Sequence, residues 1–321
     1  MNEFLKFPHA IGDSVTIQRH HDVTRLQAGD GSNPVIHLEN SWLDGKFILR
    51  GERDPARFQE DAHVVVLAVD ERSVRKLGMW PWPRAQLAVL VRRLKSCGAR
   101  VIGFDMIFAE PDASRIEPVV AGLLEQYRRL PGADQSYLAL LEQTWQRVQG
   151  DRQFAKAVED AGNVVLGYFF HMDRKSLPFK VGKEEIEEQL DRISHSRYPL
   201  VIYEDPEMKI NPFFTAFIPE GNIPKINDAA SSSGYFNMFP DSDGIVRKMP
   251  LVIRCGEGLY MPLSLRCLWE FVDRPPTIVK VARYGIEGIK FGPIFIPTDE
   301  NGQILINYLG PQKTFHHISI T

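Results

Sequence analysis

Residues 64–105 hold two short apolar runs with one amphipathic pattern between them. The first run, 64–69, is rich in valine and ends at polar residues, and the second, 101–104, ends at Asp105. Such runs are typical of parallel strands buried on both faces. The apolar residues between them recur at i, i+3, i+4 and i+7, which predicts a helix: Leu87, Leu90, Val91 and Leu94. A strand, a helix and a strand at this spacing predict a right-handed βαβ crossover and so constrain the chain to an α/β sheet.

The next segment predicts further helices and another strand of the same sheet. Helical periodicity covers 116–127 and 137–148, with the breaker Pro131-Gly132 between them, as in an αα-hairpin. A third helical stretch leads through Gly162 to the apolar run 164–169. We expect that run to be a third parallel strand.

The last third of the chain has the pattern of short antiparallel strands. The sequence PDSDG lies between SGYFNMF and GIVRKMPLVIR, which predicts a hairpin with its turn at Asp243-Gly244. A helix at about 262–273 and a meander of strands over 277–309 are expected to follow. The fold class is therefore α/β, with a mixed, partly parallel sheet built from βαβ units, helices on both faces and a β-hairpin-rich C-terminal part.

Two further segments complete the expected organisation. Residues 1–37 have no sustained periodicity and are expected to be an N-terminal extension, partly disordered or left by cloning, although a short strand is allowed at Ser14–Gln18. The domain proper is expected over 38–321, with a helical insertion at 114–149 and a peripheral insertion at 171–228. Near its start, LDGKFILRG favours a turn followed by a strand.

Composition excludes several classes of function. The 38 Lys and Arg residues against 41 Asp and Glu residues give a formal charge of -3, which offers no field for nucleic acid. The three cysteines are too few and too scattered for a disulfide framework or a zinc site. No apolar run approaches the roughly 20 residues of a membrane-spanning helix. The common nucleotide, protease and hydrolase motifs are also absent, so no cofactor is expected.

Polar and aromatic residues follow the first two predicted strands and form the candidate ligand site. The carboxyl ends of parallel strands are where ligands of α/β sheets bind. The candidate residues are Asp70, Glu71, Arg72, Trp80, Trp82, Arg84, Asp105 and Glu110. The carboxylates among them could bind Mg²⁺ or act as acid and base, and the tryptophans could form the walls. The alternative is structural: aspartates that cap helices, an arginine that neutralises them, and a stiff Trp-Pro corner.

Two other polar motifs are weaker candidates. The aspartates of PDSDG resemble the opening of a calcium loop, but position 12 counted from Asp241 is Val252 instead of the required glutamate. The histidine pairs at 20–21 and 316–317 lack companion ligands, and adjacent histidines of a strand face opposite sides. We therefore predict a turn at the first motif and surface residues at the second, with no metal site at either.

The order of several motifs resembles one family. They are VVVLAVDERSVRKLGMWPWPR, LKSCGARVIGFDMIFAEPD, GNVVLGYFF, DSDGIVRKMPL and INYLGPQKTFHHIS. Together they resemble the second type of CHASE domain, the cyclase and histidine-kinase associated sensory extracellular domain of bacterial receptors. The resemblance spans about residues 41–320. The chain differs from the family in the helical hairpin at 114–149, in having no membrane segment at either end, and in ending before the family's last buried strand, which suggests a truncated sensor.

The resemblance implies an input domain on the periplasmic side of a bacterial inner membrane, with no catalytic residues of its own. Its partners would be an unknown small-molecule or protein stimulus and its own output domain, an adenylate or guanylate cyclase, a histidine kinase or a related enzyme. A homodimer is a further expectation. Two alternatives stay open: a metal-dependent hydrolase that uses Asp70, Asp105 and Glu110 around Mg²⁺, and a receptor dimerisation module that uses the hairpin and binds no ligand.

Overall fold

The computed structural model describes residues 14–18, 34–53, 64–112, 116–132, 134–177, 181–205, 207, 211–311 and 314–321. Within these ranges the α-helices are α1 (Pro34–Arg50), α2 (Glu71–Leu77), α3 (Arg84–Ser96), α4 (Ile116–Arg128), α5 (Gln135–Val148), α6 (Gly150–Ala161), α7 (Lys183–Arg192), α8 (Pro224–Asn227) and α9 (Leu263–Phe271). The strands of the first half are β1 (Ser14–Gln18), β2 (Val64–Ala68), β3 (Val101–Asp105), β4 (Val164–His171), β5 (Leu200–Tyr203), β6 (Phe214–Ala216), β7 (Ile218–Glu220) and β8 (Ser232–Tyr235). Those of the second half are β9 (Lys248–Pro250), β10 (Ile253–Cys255), β11 (Gly258–Tyr260), β12 (Thr277–Ala282), β13 (Gly285–Phe291), β14 (Ile294–Pro297), β15 (Gln303–Leu305) and β16 (His316–Ser319).

The main sheet has seven strands, and its central neighbours follow the order β16, β2, β1, β3, β4. All of these pairs are parallel, β8 adds a further parallel strand beside β4, and β7 pairs with β4 in the antiparallel direction. The strand that the sequence allowed at Ser14–Gln18 is β1. It lies between β2 and β3, so the two strands of the predicted crossover run parallel but are not hydrogen-bonded neighbours.

Helices cover both faces of this sheet, as predicted. On one face Ile102 and Phe104 of β3 pack in a core with the buried side chains of α3 and α6. On the other face Val101 of β3 and Val165 of β4 pack against Leu263 and Phe271 of α9. The alternation along β3 and β4 places successive side chains in different cores because strand side chains point to opposite faces. The α/β fold class is therefore confirmed.

A third core includes side chains from the carboxyl half of β4. Tyr168 and Phe170 are fully buried there, beside Tyr235 and Tyr260. The predicted meander is present as β12, β13 and β14, and it forms a four-stranded sheet with β5. The segment 171–228, expected to be peripheral, supplies β5, β6 and β7 to three sheets.

Two local predictions were wrong. The sequence LDGKFILRG is the last part of the helix α1, not a turn and strand, because Asp44, Phe47 and Arg50 make their contacts at helical spacing. The predicted hairpin around Asp243-Gly244 is also absent. Its turn exists, with Gly244 at φ +83°, but β8 pairs with β4 and β9 pairs with β15. Tertiary contacts overrode local propensity in both places.

Replacement of Phe154 tests the aromatic centre of the first core. Phe154 is fully buried on α6, and its ring lies 4.9 Å from that of Phe108 and 5.6 Å from that of Phe104. We expect Phe154→Ala to lower the free energy of unfolding by about 3–5 kcal/mol, measured by denaturant titration, because it leaves a cavity. The matched control is Phe295→Ala on β14, where the side chain is 41% exposed and the loss should stay below about 1 kcal/mol. Equal losses in the two variants would contradict the assignment of this core.

Candidate functional site

Asp70 caps a helix and connects it to the last strand. It is the N-cap of α2, and its Oδ1 accepts hydrogen bonds from the Ser73 backbone N–H at 2.8 Å and the Ser73 hydroxyl at 2.7 Å. The hydroxyl of Ser319, on β16, donates to the same oxygen at 2.6 Å. The structure thus shows the helix-capping role that the structural alternative expects of Asp70. The carboxylate fixes β16 beside the start of α2.

Asp105 lies in a different environment, at the end of β3. In the sheet it is opposite Gln18 of β1, and Gln18 is opposite Ala68 of β2. Since neighbouring strands are about 4.8 Å apart, β1 separates the ends of β2 and β3 by about 10 Å. The strand-end carboxylates therefore do not converge. In the part of the chain that the structure describes, no three Asp, Glu, His or Cys side chains are grouped as metal ligands would be. The Mg²⁺ hydrolase alternative has no geometric support there.

The two aspartates have opposite pKa shifts. Desolvation raises the pKa of Asp70, but the hydrogen bonds from Ser319 and Ser73 outweigh it and bring the pKa down to about 2. Burial raises the pKa of Asp105 to about 6. Asp70 is therefore held as a carboxylate, whereas Asp105 titrates close to neutral pH.

Glu71 and Arg72 lie on the exposed surface of α2. Glu71 makes an i,i+4 ion pair with Arg75 at 3.4 Å, and both side chains are almost fully exposed. An open depression of about 530 Å³ lies here, lined by Asp70, Glu71, Arg72, Arg75 and Lys76. All its lining residues belong to α2 or to its cap, so it is the surface of one helix and not an enclosed cavity.

The tryptophans form the stiff corner of the structural alternative. Trp82 is 2% exposed, and its indole N–H donates to the carbonyl of Gly78 at 2.9 Å. The Trp80 ring meets the Trp82 ring edge-on, with centroids 5.3 Å apart. Trp82 is thus packed into the core with its polar atom satisfied, which favours a structural role over a ligand wall.

Arg84 ties the start of α3 to the start of α6. Its backbone N–H donates to Asp112 Oδ2 at 3.0 Å, and its Nε lies 3.6 Å from Asp151 Oδ1. The guanidinium stacks over the Phe108 ring at 4.4 Å. Glu110 is exposed and contributes its backbone carbonyl, 3.4 Å from Arg84 Nη2. The eight candidate residues therefore do not form one site: Asp70, Glu71 and Arg72 lie together at α2, Trp80 contacts Trp82, Arg84 contacts Glu110, and Asp105 lies at the end of β3. Their role in ligand binding stays a prediction.

The charged site that the sequence did not predict is centred on Arg247. Its side chain is 4% exposed and is surrounded by three carboxylates. Nε and Nη2 donate to Asp44 at 2.9 and 2.6 Å. Nη1 donates to Asp241 at 2.8 Å, and Nη1 and Nη2 donate to Asp243 at 2.9 and 2.7 Å. We call these four residues the Arg247 cluster.

The hydrogen bonds of the Arg247 cluster shift the pKa values of Asp44, Asp243 and Arg247. The hydrogen bonds from Arg247 lower the pKa of Asp44, and they bring the pKa of Asp243 to about 2. The same hydrogen bonds, that to Asp44 first, raise the pKa of Arg247 above its usual range. Asp44 and Asp243 are therefore held as carboxylates beside the charged Arg247 across the neutral pH range.

The Arg247 cluster holds α1 on the body of the protein. Asp44 is on α1 and lies 203 residues from its partner in the sequence. The end of α1 is held as well, since Arg50 donates to Asn307 Oδ1 at 2.5 Å and to the carbonyl of Tyr308. The Tyr308 hydroxyl then donates to the carbonyl of Val246, next to Arg247. In the sequence, the only local indication of this cluster is the i,i+4 spacing of Asp243 and Arg247. That spacing could not indicate the ion pair with Asp44 on α1.

Comparison with known protein families identifies the family of this chain. A family model described as the CHASE2 domain matches residues 24–321. No curated protein and no solved structure matches the chain. None of the helices in the described ranges combines the length and apolar character needed to cross a bilayer.

Two substitutions test the opposed titration of Asp70 and Asp105. The pKa of Asp70 is about 2 in the folded state against 3.8, so its stabilising effect is full above pH 4 and is lost as the pH falls toward 2. Asp70→Asn should therefore be less stable than wild type at pH 5, with the difference shrinking at lower pH. The pKa of Asp105 is about 6, so its ionisation destabilises the folded wild-type protein increasingly as the pH rises from 4 through 6. Over that range the free energy of unfolding of Asp105→Asn should increase relative to that of wild type. Denaturant titrations at pH 3, 5 and 7 measure both, and parallel pH profiles for the two variants would contradict the assignment.

Proposed function

The chain belongs to the CHASE2 family of sensory domains of signalling receptors, and from this we propose that it is the extracytoplasmic input domain of a bacterial transmembrane receptor. The observation that carries the proposal is the match of the family model over residues 24–321, nearly the whole chain. The proposed output is an adenylate or guanylate cyclase, a histidine kinase or a related enzyme. The proposed stimulus is a small molecule or a protein.

The polar groups of the site support a binding and signalling role more than catalysis. Asp70 Oδ1 accepts from hydroxyl and backbone donors, and Arg84 and Arg247 are engaged with aspartates inside the fold. A catalytic acid or base must instead be within reach of a substrate. These side chains connect elements of the fold, which is what a domain that transmits a change in shape requires.

We propose that α1 is the element that transmits the signal. A stimulus changes the output of a receptor only by favouring one of two arrangements that already exist in equilibrium. The Arg247 cluster fits such an element because the same guanidinium binds Asp44 on α1 and two aspartates of the loop 241–243. If α1 moves away, Arg247 keeps its loop partners and is not left as an unpaired buried charge.

A reporter fusion tests the placement of the domain. Alkaline phosphatase fused directly after Thr321 in the intact gene product should be active in bacterial cells, because the enzyme folds only outside the cytoplasm, where its disulfides form. The matched control is a fluorescent protein that folds only in the cytoplasm, fused at the same position, which should stay dark. A dark phosphatase fusion with a bright fluorescent one would refute the extracytoplasmic placement.

Substitutions in the Arg247 cluster test the role of α1. In the intact receptor, Asp44→Asn should change the unstimulated output about 5- to 150-fold, the range of ordinary coupling energies, because it weakens only the bond between α1 and Arg247. Arg247→Gln should change the output in the same direction. The control is Arg254→Gln, whose partner Glu257 is 96% exposed and which should behave as wild type. Normal output from a folded Asp44→Asn receptor would refute the role of α1 while leaving the family assignment intact.

A further inference from the structure

The helical hairpin of α4 and α5 has a small core of its own. Val120 and Leu124 of α4 are 7% and 3% exposed, and the half-buried Leu138, Leu141 and Trp145 of α5 lie at helical spacing toward them. Asp134 caps α5 by accepting from the N–H groups of Ser136 and Tyr137. The two helices pack chiefly on one another. The hairpin is thus a two-helix unit joined to the rest of the domain through α6.

One side of this hairpin is apolar and open to water. Five large apolar side chains are 51–59% exposed: Val119 and Leu123 of α4, Leu130 of the turn that follows it, and Tyr137 and Leu140 of α5. We call these residues the hairpin face. On α4, Val119 and Leu123 come one position before the buried Val120 and Leu124. On α5, Tyr137 and Leu140 come one position before half-buried residues that face α4. Because the two helices run antiparallel, residues one position before the inward-facing ones lie on the same side of the hairpin in both helices.

The charged residues lie on the opposite side. Arg128 and Glu142 each follow an inward-facing residue by one position, and they form an ion pair across the two helices at 2.6 Å. Arg129, directly after α4, forms a second pair with Glu125 of α4. The hairpin face has no charged residue, and the two hairpin cations whose side chains the structure describes, Arg128 and Arg129, are both paired. A basic membrane-binding surface is therefore disfavoured, since such a surface needs free Lys or Arg residues beside the apolar stripe.

We infer that the hairpin face binds the same face of a second copy of this chain. Two antiparallel helices with one apolar side are half of a four-helix bundle, and a two-fold axis brings two such halves together. Like faces can meet without placing like charges opposite each other, because the face is uncharged. The half-exposed side chains leave roughly 400–500 Å² of apolar surface, the size of the largest patch on a typical monomer. Pairing two copies removes about 800–1,000 Å², close to the lower limit of a specific interface.

Sedimentation velocity over the micromolar range tests this inference. We expect the wild-type chain to form a dimer and the double variant Leu123→Glu/Leu140→Glu to sediment as a monomer at every concentration. The matched control is Leu200→Glu/Ile202→Glu on β5, which places the same charge at apolar side chains that are 48% and 44% exposed, and it should leave the dimer intact. A wild-type monomer, or a dimer lost only in the β5 variant, overturns the inference.

A charge-rescue experiment separates loss of the interface from loss of the fold. The variant Leu123→Lys/Leu140→Lys should also be monomeric, and mixing it with the glutamate variant should restore a dimer, because opposite charges then meet across the two-fold axis. Two folded variants that stay monomeric when mixed overturn the inference. So does a monomeric wild type whose glutamate variant unfolds more easily, since another part of the same chain would then cover the hairpin face. None of these outcomes depends on the proposed sensory function.

Discussion

The strand β4 is the constraint on which three cores depend. Its first half contributes to the cores on both faces of the parallel sheet, and its second half places Tyr168 and Phe170 in the third core. Side chains of asparagine satisfy its backbone where neighbouring strands do not. Asn222 donates to the carbonyl of Gly167, and Asn237 bonds both the N–H and the carbonyl of Phe170. Gly167 itself has no room for a side chain, because a Cβ there would lie 2.6 Å from the carbonyl oxygen of Phe104.

The elements that the sequence predicted well are those whose own hydrophobic pattern shows which of their side chains are buried. Strands β2, β3 and β4 are short apolar runs covered on both faces, and α3 has a clear apolar stripe, so periodicity alone finds them. The elements that it misjudged are set by distant partners. The segment 43–51 has strand-like side chains, yet its contacts with Arg247 and Tyr308 select a helix. Those partners lie more than 200 residues away, where no local pattern can indicate them.

The candidate site was predicted from a sound rule applied to an incomplete sheet. Ligands do bind at the carboxyl ends of parallel strands, but the rule brings Asp70 and Asp105 together only if β2 and β3 are neighbours. The strand β1 comes from the segment expected to be an extension, and it lies between them. The capping role of Asp70 was weighed correctly from the sequence, because a polar residue before a helix is a local signal. Its bond to Ser319 was not, because β16 is 249 residues away.

The Arg247 cluster and the hairpin face illustrate two kinds of contact that suit different tasks. A buried arginine with three carboxylates is not the most stabilising way to fill its space, since apolar residues of similar volume often do as well or better. Such a contact is instead directional, because Nε and Nη2 of Arg247 donate to both carboxylate oxygens of Asp44 in a defined bidentate geometry. An apolar face is the opposite case, because burial stabilises it in proportion to area with little demand on geometry. Directional charged contacts therefore suit α1, which we propose has two defined positions. The uncharged hairpin face suits the contact between two copies, which does not have to change.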